Sequence, residues 1–133
     1  MSLYLLIKRL IKVEHTLLSL VVVMIYCGII FFLSSLPGIL LPHPIIGFDK
    51  VLHIIAYTGL GFLSYQVMVN YKKGQKISFL ILMLIPFIFC LLYGISDEIH
   101  QSFVPGRDPD VYDVIADGIG SSIGIFVYHR LLI

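Results

Sequence analysis

Leu17-Leu-Ser-Leu-Val-Val-Val-Met-Ile-Tyr-Cys-Gly-Ile-Ile-Phe-Phe-Leu-Ser-Ser-Leu36 is a run of 20 residues without a charged side chain. As a helix rising 1.5 Å per residue it is about 30 Å long, the thickness of a bilayer's hydrocarbon core. A soluble domain buries one stripe of such a helix, whereas this run is apolar on every face. Lys8, Arg9 and Lys12 precede it as an n-region precedes a signal sequence. The run is too long for an h-region, however, and has no good small-x-small cleavage site, so it reads as a retained transmembrane span. The composition agrees: 59% of the 133 residues are hydrophobic, 13% are charged, and the mean hydropathy is +1.00. Soluble domains are about half apolar.

Outward from that run the pattern repeats. The second span is expected from Asp49 to about Asn70, the third from Ile77 to Ser96 across Pro86, and the fourth from about Val111 to Leu132. Pro37-Gly-Ile-Leu-Leu-Pro-His-Pro-Ile-Ile-Gly47 cannot continue a helix and reads as an apolar loop at the interface. Residues 3–14 carry Leu3, Leu6, Ile7 and Leu10 on one face, with the basic residues largely elsewhere. Residues 1–16 are therefore expected to form an interfacial amphipathic segment, and 17–133 a four-helix membrane domain. Ala116, Gly120 and Gly124 recur every four residues in the fourth span, a small-residue surface for close helix packing. The fold class expected is an all-α integral membrane protein, a four-transmembrane-helix bundle.

Seven of the nine basic residues (Lys8, Arg9, Lys12, Lys72, Lys73, Lys76 and Arg130) flank one side of that bundle. The positive-inside rule then puts both termini and the 71–76 turn in the cytoplasm. A formal net charge of +1 with no basic stripe argues against a nucleic-acid partner. Cys27 and Cys90 lie in apolar runs, where cysteine packs as a small hydrophobe and suggests neither a disulfide framework nor a thiolate metal site.

The opposite, extracytoplasmic end concentrates the polar residues, most densely in Tyr93-Gly-Ile-Ser-Asp-Glu-Ile-His-Gln-Ser-Phe-Val-Pro-Gly-Arg-Asp-Pro-Asp-Val-Tyr-Asp113. Three stripes at helical spacing point there: Asp49, His53 and Tyr57 on the second span; Tyr93, Asp97, His100 and Gln101 on the third; Asp110, Asp113 and Asp117 on the fourth. Ionisable groups at membrane depth read first as a functional site. His53 or His100 suits proton transfer, with Asp49 or Asp97 orienting the ring. The set His53, Asp97, His100, Asp113 and Asp117 equally suits a divalent cation such as zinc or manganese, although no HExxH spacing supports one. Arg107 suits a bidentate grip on phosphate or carboxylate; its ordinary alternative is an ion pair with Asp97, Asp110 or Asp113. Lys50 beside the stripe is a further binding candidate, against the plain reading of a snorkelling side chain. Tyr57 and Tyr93 read either as donors to the carboxylates or as members of an interfacial aromatic belt. Glu98, about 100° round the helix from Asp97, reads as not sharing its task, and Asp97, with Tyr93 and Gln101 on its face, has the better claim to the pocket. His15, His43 and His129 read as surface histidines, and Asp108 and Asp110 as turn formers.

Asp49-Lys50-x-x-His53-x-x-x-Tyr57, Asp97-Glu98-Ile-His-Gln101-x-Phe-Val-Pro-Gly-Arg107 and Asp113-Val-Ile-Ala-Asp117-x-x-Gly120 together resemble the VanZ-like family of small bacterial membrane proteins, over roughly residues 30 to 130. The family takes its name from a protein associated with low-level resistance to the glycopeptide teicoplanin, and the resemblance implies a setting in the cell envelope. It departs at Asp117, where the family commonly carries asparagine. Two functions are expected from the combination. One is hydrolysis or group transfer on a lipid or lipid-linked envelope precursor, with Asp49, His53, Asp97, His100 and Asp113 as the chemical groups and Lys50, Tyr57, Gln101, Arg107 and Asp117 as binding groups. The other is non-catalytic binding of a lipid or antibiotic in the same pocket. A proton-coupled transporter is disfavoured, because the middle of the bundle is almost bare of ionisable residues.

Overall fold

The computed structural model describes residues 3–38, 47–72 and 75–133. Among the described residues there are four helices and no strand: α1 (Leu3–Ser34), α2 (Phe48–Lys72), α3 (Phe79–Gln101) and α4 (Val111–Leu132). Each is long and apolar enough to cross a membrane. Helix α1 runs unbroken through residue 16, so residues 3–16 are the first turns of the helix whose spanning part is Val13–Ser34. Helix α3 extends five residues beyond the expected end at Ser96 and carries Asp97, Glu98, His100 and Gln101 on regular helix. It stops before Val104-Pro105-Gly106, where Gly106 takes a positive φ of 74° that only glycine adopts freely. Ser78 caps its start by accepting from the Ile81 N–H. Asp110 caps α4 from an extended backbone, its carboxylate accepting from the Tyr112 N–H at 2.9 Å.

Helix α2 is the central element and packs against the other three, most extensively against α4. The expected small-residue surface is the reason. A Cβ on Gly120 would strike the Ile54 backbone, one on Gly124 the Thr58 and Phe62 backbones, and on the facing helix one on Gly61 the Ser121 backbone. Lipid tails are as apolar as leucine, so such close approach rather than hydrophobicity specifies helix pairing in a bilayer. Helix α1 lies on α2, with Gly59 admitting the Tyr26 ring, whose hydroxyl donates to the Ala56 carbonyl at 3.0 Å. Val23, Cys27 and Ile30 pack with Tyr57, Leu60 and Cys90 in one core cluster; Tyr65, Leu82, Ile125 and Tyr128 form a second nearer the termini. Met24, Ile25, Phe32, Ile55, Leu92 and Phe126 face outward.

The antiparallel order brings the last turns of α1 and α3 and the first turns of α2 and α4 to one end. Two loops tie that end together: the Gly38 N–H donates to the Pro105 carbonyl, and Gly38 has room for no side chain against Gly106. At the opposite end His129 is half-buried and bonds the Tyr65 hydroxyl through Nδ1 at 2.9 Å, which corrects its reading as a surface histidine. His15 is exposed as expected, and His43 lies outside the described residues.

Candidate functional site

The polar residues of α2, α3 and α4 meet at this end in two adjoining groups. The outer group is built on Lys50. Its ammonium lies 3.0 Å from Asp49, 2.7 Å from Asp110 and 3.0 Å from Asp113, one carboxylate for each N–H. Lys50 therefore does not snorkel: it pins the first turn of α2 to the first turn of α4. The ammonium, helped by the Tyr112 N–H, holds the Asp110 carboxyl below its ordinary range.

The inner group is built on His53. Its Nδ1 lies 2.8 Å from Asp117 Oδ1 and its Nε2 3.9 Å from Asp113 Oδ2. Asp117 is wholly buried. With Asp117 ionised and the ring neutral, the proton sits on Nδ1 and Nε2 keeps its lone pair. Gly94, one turn before Glu98 on α3, makes room for Asp117: a Cβ there would strike Asp117 Oδ2. Asp97 is buried and accepts from Gln101 Nε2 at 3.1 Å, while the same amide donates to Ser34 Oγ on α1 at 2.8 Å. Glu98 is equally buried, and its Oε2 accepts from the Asp110 N–H at 2.8 Å. One ring nitrogen of His53 and one oxygen each from Asp97 and Glu98 lie within 4.8 Å of one another. Glu98 Oε1, Asp117 Oδ2 and the Tyr57 hydroxyl are buried with no hydrogen-bond partner among the described residues.

The three expected stripes thus do converge, with four amendments. His100 turns away: its Nε2 is 2.9 Å from Ser35 Oγ and its ring stacks on Phe31 at 4.4 Å. On a helix it sits about 60° from Asp97 in one direction and Gln101 about 40° in the other, which sends the imidazole to α1 and the amide toward the centre. Arg107 makes no ion pair among the described residues; it donates to the carbonyls of Leu33 and Leu36, each at 3.3 Å, and so caps the end of α1. Tyr57 is buried, with its ring parallel to that of His53 at 6.3 Å, and is no member of an aromatic belt; Tyr93 donates to the Cys27 carbonyl, not to a carboxylate. Glu98, read as having a lesser claim to the pocket than Asp97, belongs to the inner group. The nine-residue connection from 102 to 110 folds α4 back onto the far side of α3, so two faces of its last turn are buried.

A cavity of about 470 Å³ opens beside His53, between α1, α2 and the end of α3. Tyr26, Ile30, Leu33, Leu52 and Ile55 make most of its wall apolar; Asp49, His53, Asp97, Gln101 and Arg107 line its polar end.

A VanZ/LLP1 family model matches residues 14–133, which includes all three polar blocks. No curated protein and no solved structure matches the chain. With four apolar helices of spanning length and a match over nearly its whole length, this chain is a membrane protein belonging to the VanZ/LLP1 family.

Proposed function

We propose that the chain holds a lipid or lipid-linked precursor of the bacterial envelope in the cavity between α1, α2 and α3, and hydrolyses or transfers a group at its polar end. The observation that carries this reading is the cavity itself, apolar along Ile30, Leu33 and Ile55 and ending at His53, Asp97 and Gln101. His53, held by Asp117, has the geometry of an oriented proton acceptor: Nδ1–H is fixed and Nε2 is free. In the hydrolytic step Nε2 takes a proton from water as the water oxygen bonds to the electrophilic centre. The bond to the leaving oxygen breaks, and that oxygen receives the proton from the imidazolium. Asp97 and Gln101 position the polar end. The distribution of Lys and Arg supports a cavity that opens on the extracytoplasmic side, and family membership supports an effect on tolerance of glycopeptides such as teicoplanin.

Non-catalytic retention of a lipid or antibiotic is the second reading, favoured by the predominantly apolar wall. Native mass spectrometry separates the two. Protein reconstituted with bacterial lipid extract is expected to retain an amphiphile and release a converted product, with His53→Ala abolishing conversion while retention persists. Retention of an unchanged amphiphile by the wild type selects the second reading. Absence of any retained amphiphile sinks both.

A further inference from the structure

The inner group gathers three buried carboxyl groups with no basic side chain other than His53 beside them among the described residues. Asp97, Glu98 and Asp117 are all buried, and each receives one N–H: from Gln101, from the Asp110 backbone and from His53. Among the described residues no ammonium or guanidinium reaches them, since Lys50 is committed to Asp49, Asp110 and Asp113 and Arg107 to two backbone carbonyls. A buried charge is stable only when paired or coordinating a cation. The two groups therefore differ in one respect: the outer three carboxylates surround a built-in cation, and the inner ones do not.

We infer that His53, Asp97 and Glu98 bind one divalent transition-metal cation of the zinc or manganese type. Three observations besides the acidity support it. The cluster offers an imidazole nitrogen as well as oxygens, within a 4.8 Å span. Glu98 is nine-tenths buried, and its Oε1 has no hydrogen-bond partner among the described residues. His53 gives Nδ1 to a buried carboxylate, as metal-binding imidazoles commonly do with one ring nitrogen, and its Nε2 makes no hydrogen bond among the described residues, lying 3.9 Å from Asp113. Ligand bonds of about 2.0–2.2 Å would draw the three donors together by about an ångström, within the reach of side-chain torsions. Three protein ligands leave a coordination position for water or an anionic substrate oxygen. This deepens the proposed function: zinc held there would bring the ionisation of a bound water toward neutral pH, so activation of the nucleophile would pass from the imidazole to the metal, and the proton released by that water would go to the leaving oxygen.

The test is metal binding without substrate. Chelator-stripped protein in detergent is titrated with zinc and with manganese, and bound metal is counted after desalting; bound manganese is also examined by electron paramagnetic resonance for imidazole nitrogen coupling. The expected result is one equivalent bound by the wild type. Affinity should fall at least tenfold in Glu98→Gln and Asp97→Asn and be unchanged in Asp108→Asn, an exposed acid of the 102–110 connection that belongs to neither group. The nitrogen coupling guards against a variant that merely misfolds, because it is read on the wild type. The inference is overturned if the wild type binds neither metal, if Glu98→Gln and Asp97→Asn bind as the wild type does, or if bound manganese shows no nitrogen coupling. Failure of metal binding with amphiphile conversion intact removes the cation alone; bound metal without a retained amphiphile removes the proposed function alone.

Discussion

Asp117 illustrates how one atom sets the character of a site. Its Oδ1 receives the His53 Nδ1 proton, a task that an asparagine carbonyl performs equally well in geometry. The family's common asparagine at this position is thereby compatible with the arrangement. Asp117→Asn is expected to keep His53 oriented and to weaken metal binding by less than about tenfold, whereas Asp117→Ala removes the partner and should weaken it by about 10–100-fold, the usual effect of losing an outer partner, as the same titrations would report. Lys50→Met takes from Asp49, Asp110 and Asp113 the ammonium that all three share. Lys50 is one-third exposed, so the loss is smaller than for a fully buried pair, about 2 kcal/mol, measured by denaturation in detergent micelles. Asp110 makes the outer group sensitive to acid. Its folded carboxyl gives up its proton more readily than in the unfolded chain, where the ordinary value is about 3.9. Its contribution is thus complete above about pH 4 and disappears as the pH falls through the lower folded value. Between pH 5 and pH 3 the wild type is expected to lose more melting temperature than Asp110→Asn, and equal losses would show that Asp110 is not involved.

At the scale of the element, the register of α2 against α4 decides whether the site assembles, because His53 and Lys50 come from one helix and Asp113 and Asp117 from the other. That register rests on contacts where glycine meets backbone. Even a Cβ at Gly124 collides with the Thr58 carbonyl, and backbone cannot rotate out of the way as a side chain can. Gly124→Val should therefore cost about 1–3 kcal/mol, whereas Gly28→Ala, which meets nothing within 4 Å, should leave stability unchanged or slightly raised. Thermal unfolding of the two variants in one detergent checks the contrast. The end of α3 works differently. Gly94 seats Asp117, the last turn offers Asp97 to the cavity and Glu98 to α4, and the Val104-Pro105-Gly106-Arg107 turn closes over α1. Arg107 in that turn does structural service for the carbonyls of Leu33 and Leu36 while lining the cavity.

For the molecule as a whole the decisive variable is which side of the membrane the polar end faces. Cys27 and Cys90 are buried, so introduced thiols can be read against a low background. Ser102→Cys, at the exposed end of α3 beside the site, is expected to react with a membrane-impermeant maleimide in intact cells. Gln75→Cys, at the opposite end, should react only after lysis. The reverse pattern would turn the cavity toward the cytoplasm and remove the envelope substrate from consideration.

The number of spans, their approximate limits and the gathering of polar residues at one end follow from the sequence, because charge-free length and helical spacing are one-dimensional properties. The same spacing marked Ala116, Gly120 and Gly124 as a packing surface. What only the tertiary structure decided is the partner of each polar group. A helical stripe tells that His100 and Gln101 lie near Asp97, but a difference of about 100° between them sends one to Phe31 and the other to Ser34. The partners of Arg107 and Glu98 were settled in the same way: the fold-back of residues 102–110 put backbone carbonyls beside the guanidinium and the start of α4 beside the glutamate. Direction around a helix is local, whereas what lies in that direction depends on segments distant in the chain.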